Sequence, residues 1–176
     1  VEKINDKLGQ TYNLKSDGRP ILGLDVKNLT EIILEISSKC LIIPAHIWTP
    51  WFSVFGSKSG FNSLAECFDE IAPQIYAVET GLSSDPAMNL RVPELDNKTI
   101  ISGSDAHSLL NLGREACVFE IEKKDLSYNE IARVIKEKNL IHVFSEKLFD
   151  PIEDKFDLVL RHRKRGEFLV FEFPVF

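Results

Sequence analysis

The sequence predicts an α/β fold of parallel strands alternating with helices, and three observations carry that reading. Short uninterrupted apolar runs at 40–43, 75–78 and 99–101 have the pattern of strands buried on both faces. Between them lie segments with apolar residues at helical spacing, opened by capping residues. The two patterns alternate in chain order, which favours right-handed crossovers and a parallel sheet, either open or closed into a barrel.

Residues 1–20 are polar and turn-rich, ending in Ser16, Asp17, Gly18, Arg19 and Pro20, and read as a connection or the tail of an earlier element. From Asp25, an N-cap residue, Val26, Leu29, Ile32, Ile33 and Ile36 recur at helical spacing, so a helix of about three turns extends to Ser38. Cys40, Leu41, Ile42 and Ile43 form the first strand, closed by Pro44. Ser63 with Glu66 makes a capping box for a second helix carrying Leu64, Cys67, Phe68 and Ile71. Ile75 to Val78 form the next strand, ended by Glu79, and Asp85 before Pro86 opens a short helix. Thr99 to Ile101 make a third strand and Cys117 to Ile121 a fourth. Ser127 with Glu130 caps a helix carrying Ile131, Val134 and Ile135, and Ile141 to Phe144 form a fifth strand. Beyond Pro151 the pattern changes to alternation around Leu158 and Leu160, then Arg163 to Gly166, then Phe168, Val170 and Phe171. That reads as a β-hairpin over 151–176, appended to a main body over 1–150.

Composition limits the classes open to this chain. Its 176 residues are 44% hydrophobic and 27% charged, with 9 Gly and 8 Pro, as in globular domains and unlike collagen-like or low-complexity chains. No apolar run approaches the ~18 residues of a membrane helix, and the start lacks a signal peptide's pattern. A cytoplasmic protein is the expectation. The 21 basic and 27 acidic side chains give a net charge of -6, so any nucleic-acid binding requires a local basic surface. The run Arg161, His162, Arg163, Lys164 and Arg165 is one candidate, though a solvated hairpin tip accounts for it too. Cys40, Cys67 and Cys117 form no C-x-x-C pair, which excludes a zinc ribbon and reads as reduced core thiols. Position 1 is Val, and the chain is expected to be processed or truncated at its amino end.

The chemistry gathers at strand ends. In parallel α/β architectures the carboxyl ends of strands converge on one functional rim. His46, Glu79, Asp105 and His107 all fall there, and imidazole and carboxylate are ligands of divalent metals. Asp105 and His107 form an Asp-x-His pair whose side chains share one side of an extended segment, with Ser102 and Ser104 placed to orient them by hydrogen bonds. Glu79 ligates, accepts a proton from another ligand, or caps a turn.

Both tryptophans lie in one loop, with Trp48, Trp51, Phe52, Phe55, Lys58 and Phe61. Such rings either stack on an extruded base, at about 1–3 kcal/mol per base, or pack over the helices as a lid. Gly56, Ser57, Lys58 and Ser59 look like the end of a phosphate loop, but Trp51 stands where the Walker spacing demands glycine. Arg91 and Arg114 sit in loops beside the rim, where a guanidinium either holds a phosphate oxygen or pairs with a neighbouring acid.

The stretches 44–61 (PAHIWTPWFSVFGSKSGF), 79–89 (ETGLSSDPAMN) and 104–115 (SDAHSLLNLGRE), with 17–25 (DGRPILGLD), resemble the polymerase and histidinol phosphatase (PHP) superfamily, and within it the endonuclease Q family. The likeness runs over about residues 5–145. It implies a distorted seven-stranded β/α barrel with a cluster of zinc or manganese ions, magnesium being an alternative, that hydrolyses phosphoesters. The family cuts DNA 5′ to uracil, hypoxanthine, xanthine or abasic sites. By the resemblance His46, Asp105 and His107 are metal ligands, while Glu79 matches a strand-end acid that ligates in some members or helps in acid–base catalysis. A metal-bound hydroxide is the expected nucleophile, with Trp48, Trp51, Phe52, Lys58 and Arg114 as substrate-binding candidates. The family's amino-terminal His-x-His motif and its Cys-rich zinc module do not occur in this sequence. With ~250 residues typical of a closed barrel, a partial barrel with an open edge and an incomplete cluster is expected, inactive alone and completed by an amino-terminal part of the same protein. A phosphatase acting on small esters and a catalytically silent assembly module are the alternatives.

Overall fold

The computed structural model describes residues 1–15, 21–58, 60–119, 121–138, 140–145 and 169–171. Helix α1 (Glu2–Gly9) occupies the segment expected to be a connection. Its apolar edge consists of half-buried Ile4 and buried Leu8, two positions too few for periodicity to reveal. Helix α2 (Val26–Ile36) starts where the sequence placed it, with the Asp25 side chain accepting a hydrogen bond from the Lys27 amide. In α3 (Leu64–Phe68) the Ser63 hydroxyl accepts from the Glu66 amide at 2.9 Å, and the Glu66 carboxylate reaches back one residue further, to the Asn62 amide at 2.8 Å.

Strands β1 (Ala77–Glu79) and β2 (Thr99–Ile101) pair in parallel, Glu79 opposite Ile101. The connection between them contains α4 (Pro86–Asn89), capped by Asp85 with Pro86 in its first turn. Side chains alternate across this small sheet as a period of two requires. Val78 and Ile100 enter one core with Ile47, Phe68, Ile75 and Leu95, while Ala77 and Ile101 enter a second with Cys117, Phe119, Val134 and Ile135.

The expected parallel order fails beyond β2. Strand β3 (Glu115–Phe119) pairs antiparallel with β4 (Leu140–Ser145) and with β5 (Leu169–Phe171), giving a separate sheet of order β4-β3-β5. The helix α5 (Tyr128–Lys136), capped by Ser127, lies between β3 and β4 in the chain. Apolar periodicity records that a strand exists and which faces it buries, but carries no direction, so alternation alone misled. Among the described residues the strands make two hydrogen-bonded sheets, one parallel and one antiparallel. In the C-terminal region β5 adds to β3, whereas the other expected hairpin arm at 158–160 and the basic run 161–165 lie outside the described residues.

The expected strand at 40–43 forms no ladder. Its side chains do alternate, Ile42 against the first core and Leu41 and Ile43 against the second. The Tyr128 hydroxyl, which donates to Lys39 O at 2.5 Å and receives the Leu41 amide at 3.2 Å, takes the place of a neighbouring strand. Pro44, having no N–H, cannot extend a ladder. No helix among the described residues is long and apolar enough to cross a membrane.

Candidate active site at the strand-end rim

Because β1 and β2 are parallel and in register, the loops that follow Glu79 and Ile101 leave from one edge. The chain through His46 is stitched to the same edge by two backbone bonds, Glu79 N to Pro44 O at 3.0 Å and Ile47 N to Glu79 O at 3.1 Å. Three segments distant in sequence are therefore neighbours. The Glu79 side chain, 3% exposed, lies beneath them. Its Oε2 accepts from the His46 amide at 2.5 Å, and its Oε1 from the amides of Gly81 at 2.9 Å and Gly103 at 3.2 Å.

Both imidazoles are held by a contact at Nδ1. Thr49 Oγ1 lies 3.0 Å from His46 Nδ1, and also 3.2 Å from His46 O and 3.1 Å from Trp51 O. The Thr49 hydroxyl thereby holds the Nδ1 edge of the ring against the loop backbone. In His107, Nδ1 lies 2.8 Å from the carbonyl oxygen of Asp105, which only accepts, so this nitrogen donates. An imidazole oriented through Nδ1 is the arrangement seen where the other ring nitrogen binds a cation.

The ligand-type residues nevertheless do not close into a finished cage. His107 Nδ1 stands 3.9 Å from Asp105 Oδ1, and among the described residues no group of three or more His, Cys, Asp or Glu side chains converges to hold a metal ion. The rim presents prepared imidazoles and a carboxylate on adjoining loops, without the geometry of a complete centre.

The aromatic loop divides. Trp48 packs against the first core, with its ring 5.0 Å from that of Phe55, and donates from Nε1 to Asn89 Oδ1 at 2.9 Å. It is built into the scaffold. Trp51 and Phe52 are 58% and 76% exposed, and Lys58 is exposed as well. Gly60 allows the loop to fold on itself, since a Cβ there would meet Gly56 N at 2.1 Å. Arg114 commits its guanidinium to the Asp105 segment, donating from Nε to Ser104 O at 2.7 Å and from Nη2 to Asp105 O at 3.5 Å.

Two features escaped the sequence reading. The Ser102 hydroxyl, expected to orient Asp105, instead donates to the buried carboxylate of Glu115 and accepts from Thr80 Oγ1 at 2.8 Å. The available signal was a lone acid at the head of an apolar strand. Leu109 and Leu110, 86% and 85% exposed, project from the turn after His107. Adjacent leucines outside any helical repeat were the clue.

The fold is similar to that of lesion-directed DNA endonucleases. It superposes with a TM-score of 0.65 and 28% identity on a crystal structure of endonuclease Q in complex with a 27-mer duplex substrate with an abasic lesion at the active site, covering 77% of this chain and 33% of that one. With the lesion-specific endonuclease PfuEndoQ from Pyrococcus furiosus the TM-score is 0.69 at 24% identity, over 97% of this chain and 46% of that one. By sequence it is 37% identical over 116 residues to the uncharacterized protein YqxK of Bacillus subtilis (strain 168). It is 33% identical over 116 residues to the uncharacterized protein MJ0043 of Methanocaldococcus jannaschii. These matches cover 66% and 63% of this chain but only 29% and 14% of those proteins. The chain thus spans less than a third of either curated relative. No family model matches it.

Proposed function

We propose that this chain is part of a metal-dependent DNA repair endonuclease of the PHP superfamily, one that nicks 5′ to deaminated bases or at abasic sites. The observation that carries the reading is the rim itself: two imidazoles held at Nδ1 and the Asp105 carboxylate, on adjoining loops of a fold shared with a DNA-bound endonuclease. His46, Asp105 and His107 are the cation-facing residues in this proposal. The rest of the ligand set, and closure of the partial barrel, come from parts of a longer protein. Zinc, manganese or magnesium supplies Lewis acidity toward a phosphoryl oxygen when bound.

This chain's own residues then divide the remaining work. Arg114 holds the Asp105 segment by its carbonyls, and Trp51 and Phe52 offer exposed ring faces to an unstacked base or sugar. The test is nicking of a uracil-containing and an abasic duplex, against an undamaged control, by the longer protein. Trp51→Ala is expected to weaken binding to the damaged duplexes about tenfold, the loss of one stacked base, and to leave undamaged duplex nearly unaffected. Equal loss on all three removes the aromatic role. Turnover of a small phosphate monoester without nicking identifies a phosphatase instead.

A second reading rests on the absence of a converged three-ligand group among the described residues: a catalytically silent assembly module. Metal analysis separates the two. A silent module retains no stoichiometric transition metal even when the rest of the protein is supplied.

A further inference from the structure

We infer that Glu79 is the positioning residue of this rim, a buried carboxylate that binds the backbones of three separate loops and thereby sets where His46 and Asp105 stand. The inference deepens the proposed function and rests on it for the link to catalysis. An ionised carboxylate is costly to bury unless its lone pairs are satisfied. Here the satisfying donors are the amides of His46, Gly81 and Gly103, which lie 33, 2 and 24 positions from Glu79 along the chain. Charge-assisted bonds of this type are the stronger class, and each one ties down a different segment.

The backbone around the clamp needs holding. His46 and Asp105 adopt φ of 35° and 44°, a left-handed region that non-glycine residues occupy only when their surroundings impose it. One clamp bond falls on His46 itself and another on Gly103, two residues before Asp105. Gly81, at φ 61°, completes the arrangement: a Cβ there would sit 2.6 Å from His46 Cβ, so the turn after Glu79 is packed directly on the histidine. Residue type is dictated by the same geometry. Gln keeps the length but turns an NH2 toward amide donors, and Asp keeps the charge but falls one methylene short.

The test is amide hydrogen exchange, followed by NMR on this chain in the absence of metal. In the wild type the amides of His46, Gly81 and Gly103 are expected to exchange through one shared opening, since one group holds all three. In Glu79→Gln their protection is expected to fall together by about tenfold or more, while the amides of Thr99 and Ile101 in β2, which face β1, keep theirs. Unrelated exchange rates in the wild type, unchanged protection in the variant, or a uniform loss that includes β2 overturns the clamp. The wild-type measurement decides alone if the variant does not fold. Titration of the longer protein with Mn2+ then reads the functional link: affinity is expected to fall in both Glu79→Gln and Glu79→Asp at nearly unchanged thermal midpoint, and equal affinity overturns the positioning role. A longer protein of wild-type sequence that takes up no Mn2+ overturns the metal reading of the rim, while the exchange data still judge the clamp.

Discussion

Cys67 and Cys117 are the side chains whose chemistry burial alters most. Removal from water disfavours the thiolate, and each thiol is pushed up to about 12 from the ordinary 9.0. Cys117 also exchanges hydrogen bonds with Ser102, its sulfur receiving the Ser102 amide at 3.0 Å and lying 3.2 Å from the Ser102 carbonyl oxygen. Below pH 9 both folded and unfolded chains carry neutral thiols. Between about 9 and 12 the unfolded chain ionises first, so stability is expected to fall across that window. At pH 8, iodoacetamide is expected to modify half-buried Cys40 and to spare Cys67 and Cys117 until denaturant is added, as peptide mass spectrometry will show. The sequence identified these three as core thiols from their apolar neighbours. It could not separate Cys40 from the others, because that difference depends on what packs over the 40–43 segment.

At the scale of elements, local signals were the most legible. Ser63, Asp85 and Ser127 each cap the helix that the sequence assigned to them, because a cap bond spans only two or three residues. On α5 the same locality allows two contributions to be compared. Ser127 Oγ accepts from the Glu130 amide at 3.2 Å, whereas Arg133 pairs with Glu130 and Glu137 on an exposed face. Exposed pairs contribute little. Ser127→Ala is therefore expected to cost about 1 kcal/mol and Arg133→Ala less than half of that, with denaturant midpoints as the measure. Strand positions were also legible, to within two residues for β2 and β3. Strand direction was not, since a β3 that pairs antiparallel with β4 and one that pairs parallel present the same apolar pattern.

For the whole molecule, the parallel pair β1 and β2 is the shared wall of two cores, and Glu79 stands at its end. Phe68, 1% exposed, anchors the first core. Phe68→Ala is expected to cost about 3–5 kcal/mol, a large part of the stability of a domain this size. Because Val78 in the same core adjoins Glu79, a cavity beneath it is expected to loosen the rim as well, visible as loss of ordered aromatic signals in the near-ultraviolet circular dichroism. What the sequence alone determined was the inventory: helices with their caps, apolar runs, and ligand-type residues at the ends of those runs. Those signals act over a few neighbouring residues and survive in any fold. What tertiary structure decided was the assembly: antiparallel pairing around β3, Trp48 half-buried against the core while Trp51 stays exposed, and one carboxylate joining loops 33 and 24 positions away. Contacts between residues so distant exist only after the chain has closed on itself, and no pattern along the chain encodes which distant amide a buried acid will meet.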